Sequence, residues 1–139
     1  MFVDSWGWIA LFNKHDPYYR VVLPAFDRLL RSGRSLFLTN AVLYEALQTT
    51  QRYYGKPALA DFGGKMFDAI GRKWAILLRA DDALEATAWS LQLKFADQDV
   101  SFTDCLSFAM MQRHGITTAF TGDTHFTLLG FNIIPDISR

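Results

Sequence analysis

The chain predicts an α/β fold, a three-layer α/β/α sandwich around a parallel sheet of about five strands. Three observations carry that prediction. Short apolar runs bounded by turn residues recur along the 139 residues, and they lack the alternation of a sheet with one wet face. Helical segments separate most of these runs, as parallel crossovers require. No repeat, low-complexity tract or linker-like stretch divides the chain, so one domain over 1–139 is expected, long enough to bury a substantial core.

The elements follow in order. MFV (1–3) reads as a short opening strand and SWGWIALF (5–12) as a helix that HDP (15–17) ends. Pro17 can open a second helix running to about Leu30, with Pro24 as a kink in its path. SGR turns the chain into a strand at SLFL (35–38). Thr39 or Asn40 then caps a helix that Gly55 and Pro57 stop after Tyr54. A further helix covers 57–70, and WAILL (74–78) is the third strand. Asp81 or Asp82 caps a helix to about Ala96, and another helix spans 103–113. TTAF (117–120) and NII (132–134) complete the sheet.

Composition narrows the function classes. Half the residues are hydrophobic and twelve are Phe, which excludes a disordered chain. The single cysteine, Cys105, excludes an internal disulfide and argues against a zinc–thiolate centre. No secretory signal and no run near the roughly 20 apolar residues of a membrane span is present, so a cytoplasmic protein is expected. Zero net charge argues against a protein that coats nucleic acid indiscriminately. Its distribution is uneven: residues 14–79 hold 11 Lys/Arg against 5 Asp/Glu, while residues 80–139 hold 3 against 8.

The chemistry of interest lies in four acids. Asp4 directly follows the first strand in FVDSW, and Asp123 follows the fourth in AFTGDTHF. Glu45 sits in AVLYEAL at the edge of an apolar stripe formed by Val42, Leu43, Ala46 and Leu47. Asp104 opens the helix that leads into the fourth strand, in SFTDCLSFAM. In open parallel sheets, sites form at the carboxyl ends of strands where the strand order reverses. If the first and fourth strands are neighbours, all four acids converge on one edge. Each also has a purely structural explanation: Asp4 and Asp123 as helix caps, Ser101 to Asp104 as a capping box, Glu45 as a solvated edge residue.

Clustered carboxylates repel one another and hold their protons unless a cation neutralises them. Oxygen-only donors at that density suit Mg²⁺ or Mn²⁺ far better than zinc. Hydrolysis of a phosphodiester is the reaction such a site would support.

The segments FVDSWGWIALF, TNAVLYEALQ, DQDVSFTDCLSFAMMQRHGI and TAFTGDTHFTLLGFNIIP span nearly the whole chain. In content and order the chain resembles a PIN domain, most closely the toxins of VapBC-type toxin–antitoxin pairs. The resemblance implies a magnesium- or manganese-dependent endoribonuclease acting on RNA, a homodimer and a small inhibitory antitoxin. It also implies an acidic quartet of Asp4, Glu45, Asp104 and Asp123. Within it, Asp4 and Asp104 would be the main metal ligands, Asp123 would hold a second ion or a water, and Glu45 would orient or deprotonate the attacking water. Asp99 and Thr121 resemble supporting positions. SWGW departs from the family pattern by placing Trp6 and Trp8 just after Asp4, where core filling is the expected role.

Competing readings find less support. No phosphate-binding glycine loop is present, and Asp4 lacks a second aspartate two residues on. His114, His125 and Cys105 read as structural. Two alternatives keep the same fold: a catalytically silent RNA- or protein-binding module, and a structure-specific DNA nuclease.

Overall fold

The computed structural model describes residues 1–135. Five strands, β1 (Phe2–Val3), β2 (Leu36–Thr39), β3 (Ala75–Leu78), β4 (Thr118–Phe120) and β5 (Asn132–Ile134), form one parallel sheet in the order β3-β2-β1-β4-β5. The chain builds outward from β1 to β3, then returns to add β4 on the other flank of β1. The strand order therefore reverses between β1 and β4, where a crevice opens at the carboxyl ends. Register fixes the faces there: Phe2 lies beside Phe37 and Ala119, and Val3 beside Phe120.

Five helices, α1 (Ser5–Phe12), α2 (Tyr19–Arg31), α3 (Asn40–Gly71), α4 (Asp82–Lys94) and α5 (Phe102–Arg113), flank the sheet. On one face the Phe26 ring of α2 meets Phe120 at 4.5 Å between centroids and Trp8 of α1 at 6.1 Å. On the other face Phe108 of α5 meets Phe126 edge-on at 4.9 Å, and Phe126 lies 6.3 Å from Phe2. Phe2 and Phe120, one register position apart on the paired strands β1 and β4, thus feed opposite cores, as pleating demands. The short central strands are buried on both sides, which is why their sequences show no alternation.

Gly7 sets the approach of α1 to the sheet. A Cβ at this position would stand 2.9 Å from side-chain atoms of both Val3 and Phe120 and 3.1 Å from the Phe120 carbonyl oxygen. Only glycine lets α1 lie this close to the β1–β4 junction.

The helix starts obey their caps. Thr39 accepts the Val42 amide at 3.0 Å, and Asp81 accepts that of Leu84 at 2.8 Å while clasping Arg113 of α5 through both guanidinium arms. Departures from the expected boundaries have local causes. The second helix begins at Tyr19 and not Pro17, because the Asp16 side chain accepts the Tyr18 amide and closes a turn across the proline. Gly55, with φ of +87°, breaks the long segment α3 where expected, yet helix resumes at once. Trp74 stays outside β3 and exposed, and α4 ends at Lys94. A 3₁₀ turn over Thr124–Leu129, absent from the sequence expectation, follows Asp123 and is closed by Gly130 at φ of +80°.

Candidate active site

The topology brings the acids to one edge. Asp4 leaves β1 and enters α1, Asp123 follows β4 and precedes the 3₁₀ turn, Asp104 lies in the first turn of α5, and Glu45 lies in the second turn of α3. Each carboxylate is oriented by a neighbouring donor. Thr121 Oγ1 donates to Asp4 Oδ2 at 3.0 Å, and Ser5 Oγ donates to Glu45 Oε1 at 3.0 Å. Ser101 N–H donates to Asp104 Oδ2 at 3.0 Å, and His125 donates to Asp123 Oδ1 through its backbone amide at 2.9 Å. The His125 ring nitrogen Nδ1 lies 2.8 Å from the same Asp123 oxygen. A carboxylate has about four lone-pair sites, so these bonds fix direction and leave coordination capacity to spare.

The structural and chemical explanations of these residues therefore coexist. The capping box exists, with Asp104 N–H donating to Ser101 Oγ at 3.0 Å, and it aims a carboxylate at the crevice. Asp123 caps the 3₁₀ turn. Asp4 occupies the N-cap position of α1 but makes no capping bond with its side chain, which is held by Thr121 instead.

Electrostatics tie the group together. Burial, then the charge of Asp104, then that of Glu45 push the Asp4 carboxyl up to about 7 against the pull of the Thr121 bond. Glu45 is raised by burial and by the charges of Asp104 and Asp123, with the Ser5 bond opposing. Asp104 is raised by burial and by Asp123, with the Ser101 bonds and the His125 charge opposing. Among the described residues none of the four forms an ion pair with Lys or Arg. Among the described residues only the His125 ring, beside Asp123, offers these four mutually repelling carboxylates a cationic partner, which leaves room for a hard divalent ion. Among the described residues no three His, Cys, Asp or Glu side chains stand in ready-made ligating positions. A Mg²⁺-like ion keeps several waters and takes only one or two carboxylates directly, so it does not require three side chains in such positions.

The remaining residues sort themselves. Thr121, fully buried, also accepts the Asp123 amide at 3.0 Å. Asp99 is solvent-exposed on the loop before α5 and takes no part in these hydrogen bonds. Trp8 is core, its indole N–H donating to the Val3 carbonyl at 3.0 Å. Trp6 is only partly covered, meets Tyr18 in a tilted ring contact at 5.1 Å and lines a hollow beside Ser5 and Glu45. Ser5 and His125 were not legible as site residues. Their only signal was adjacency, Ser5 to Asp4 and His125 to the DTH after a strand end. Of the basic residues, Arg31, Lys65 and Arg72 pair with Asp27, Asp61 and Asp68 one helical turn away.

A parallel sheet in the order β3-β2-β1-β4-β5 with carboxylates gathered at its β1–β4 edge defines the class. The chain belongs to the PIN domain family, whose model matches residues 1–132. Among particular proteins it is 30% identical over 132 residues to the 23S rRNA-specific endonuclease VapC20 of Mycobacterium tuberculosis, in two strains, covering 94% of this chain and 95% of VapC20. The crystal structure of Mycobacterium tuberculosis VapC20, described as a Sarcin-Ricin loop cleaving toxin, superposes with a TM-score of 0.77 at 27% identity, over 94% of this chain and 95% of that one.

Proposed function

We propose that this chain is a VapC-type endoribonuclease toxin that hydrolyses RNA phosphodiester bonds at the Asp4–Glu45–Asp104–Asp123 edge. The observation that carries the reading is the convergence of four oriented, mutually coupled carboxylates at the strand-order reversal. Mg²⁺ or Mn²⁺, when bound, supplies the charge neutralisation that the carboxylates lack and polarises a phosphate oxygen.

Asp4 and Asp104 would hold that ion, and Asp123 would hold a second ion or a water. Glu45, fixed through Oε1 by Ser5, accepts a proton from the attacking water at Oε2. Burial and neighbouring charge raise Glu45 from its ordinary value, which makes it a better base near neutral pH. Thr121 positions Asp4, and Asp99 is assigned no step. The reading takes the chain as one domain. It assigns a small cognate antitoxin, a homodimer and a cytoplasmic setting as the biological context. Among the described residues no helix is long and apolar enough to cross a membrane.

The test is cleavage of an RNA panel that includes a sarcin–ricin loop hairpin, with Mn²⁺, with Mg²⁺ and with EDTA, beside Asp4→Asn. Cuts that need the metal and vanish in the variant support the reading. Failure to cut any RNA, with no metal bound by calorimetry, favours the silent binding module, and equal cutting of matched DNA favours the DNA nuclease.

A further inference from the structure

Glu45, Thr49 and Tyr53 recur at four-residue spacing on α3, so one strip of that helix runs away from the acidic edge. At 1.5 Å of rise per residue, Tyr53 stands about 12 Å along the axis from Glu45. Two hollows open on this strip, between α1 and α3. The inner one, about 540 Å³, is lined by Ser5, Trp6, Glu45 and Thr49 and ends at Tyr53 and Tyr54. The outer one, about 620 Å³, begins at the same two tyrosines and continues past Asn13 and Lys14 to Pro57 and Lys65. Together they make one groove that leads out of the candidate active site.

Two features of the outer hollow stand out, the first being the Tyr53 ring, over which the Arg52 guanidinium lies 5.9 Å from the centroid. The Tyr53 ring is 70% exposed although it is a large aromatic on a helix that packs against the core. Asn13 is the reverse: it is only 5% exposed, yet its Nδ2 is a buried donor without a partner. The amide orientation is set by the network, because Oδ1 accepts the His15 backbone amide at 3.1 Å, so the nitrogen is the free end. Buried donors are almost always paired, by protein, water or ligand. The lining charge is close to balanced. Lys65 is held by Asp61 at 2.9 Å and donates to the Phe12 carbonyl, Asp16 lines the inner hollow, and Lys14 is exposed at the rim. A near-neutral groove with an aromatic face and a buried neutral donor suits a base, whereas a phosphate would stay at the wet rim by Lys14.

We propose that this groove holds the single-stranded RNA flanking the scissile phosphate, one base stacking on Tyr53 while Asn13 Nδ2, covered in the free protein, is uncovered on binding and donates to an acceptor on its edge. The proposal rests on the nuclease reading above and assigns that reading its substrate-positioning surface. Tyr53 supplies sequence-tolerant stacking. Asn13 supplies the preference, since it favours a base that presents an acceptor at that edge.

The test uses the shortest RNA of the panel that the wild type cuts, intact and trimmed stepwise from each end, with Mn²⁺. Wild type is compared with Tyr53→Ala, Tyr53→Phe and Asn13→Asp, each shown to melt as the wild type does. Asn13→Asp keeps the acceptor for His15, removes the donor and adds a charge, so its effect supports the proposal only where trimming past the bound nucleotide abolishes it.

Base–aromatic stacking is worth roughly 1–3 kcal/mol, so Tyr53→Ala should raise KM by about 5- to 140-fold with kcat little changed. Tyr53→Phe should restore it. Asn13→Asp should raise KM on the intact RNA, and trimming past the bound nucleotide should bring every variant level with the wild type. An unchanged KM in Tyr53→Ala and Asn13→Asp overturns the proposal and leaves the nuclease reading standing. So does an equal effect on trimmed RNA, or an altered oligomeric state without a change in KM, the mark of a protein seat. A wild type that cuts no RNA overturns both.

Discussion

Thr121 Oγ1 donates to Asp4 Oδ2 at 3.0 Å across 117 residues of sequence, and the same oxygen accepts the Asp123 amide at 3.0 Å. One buried hydroxyl thereby holds the carboxylate at the end of β1 and the loop at the end of β4 in a common frame. Thr121→Val keeps the shape and removes both bonds. It should cost about 1–3 kcal/mol in stability by leaving buried groups unsatisfied, and it should reduce RNA cleavage at least tenfold. Thr121→Ser should retain most of both. Urea melts beside cleavage rates check this, and a fully active Thr121→Val would remove Thr121 from the site.

Asp4→Asn and Asp104→Asn should each lower cleavage by about 100-fold or more, since each removes a charge that the metal would bind. Asparagine at 104 can still accept the Ser101 amide, so its far-UV dichroism should match the wild type. Ser101→Ala is the control: loss of the cap should cost about 1 kcal/mol and reduce cleavage only modestly. If Ser101→Ala were as inactive as Asp104→Asn, the aspartate's contribution would be structural.

Glu45→Gln should abolish cleavage while calorimetry still detects the metal, because Glu45 is placed as base and not as ligand. Loss of metal binding in this variant would reassign it.

Proton linkage gives a prediction with a definite sign. Asp4 lies at about 7 in the folded protein against an ordinary 3.8, so between these values the folded state binds the proton more tightly than the unfolded one. In EDTA, stability should therefore fall as pH rises from 5 to 8. The loss should reach a few kcal/mol, at roughly 1.4 kcal/mol per tenfold change in proton affinity. Glu45 and Asp104, also raised, add in the same direction. Asp4→Asn should flatten the slope, and Mn²⁺ should restore stability more at pH 8 than at pH 5. Chemical denaturation at several pH values measures it; a slope unchanged in Asp4→Asn would remove Asp4 as its source.

Gly7→Ala should be costly despite the higher helix propensity of alanine. Its methyl would meet Val3 and Phe120 at 2.9 Å, and the backbone oxygen at 3.1 Å cannot rotate away. A loss of about 1–3 kcal/mol is expected from overpacking, with weaker cleavage because α1 carries Ser5 and adjoins Asp4. Unaltered melting and cleavage would mean that α1 shifts freely.

Local patterns settled much of this protein in advance. The strand–helix order, the caps at Thr39 and Asp81, the break at Gly55 and the capping box at Ser101 are all short-range events, decided by hydrogen bonds within a few residues. The acids were visible for the same reason: Asp4, Asp104 and Asp123 stand where a strand ends or a helix begins, and Glu45 stands out at the edge of an apolar helical stripe. The 3₁₀ turn at Thr124–Leu129 escaped because a six-residue segment is too short to display a period.

Other features depend on distance in space alone. Nothing local to Thr121 announces a bond to Asp4, nothing in SWGW says that Trp8 fills the core while Trp6 borders a hollow, and Ser5 and His125 gain meaning only from the partners that the fold supplies. The raised proton affinity of Asp4 is likewise a tertiary property, since burial and the approach of Asp104 create it. The groove past Tyr53 and Asn13 exists only because α1 and α3 pack side by side. Sequence alone determined the elements and the candidate acids, because capping and hydrophobic periodicity act over a few residues. Only the tertiary structure decided which groups meet and what surrounds them, because contact, charge coupling and desolvation depend on separation in space.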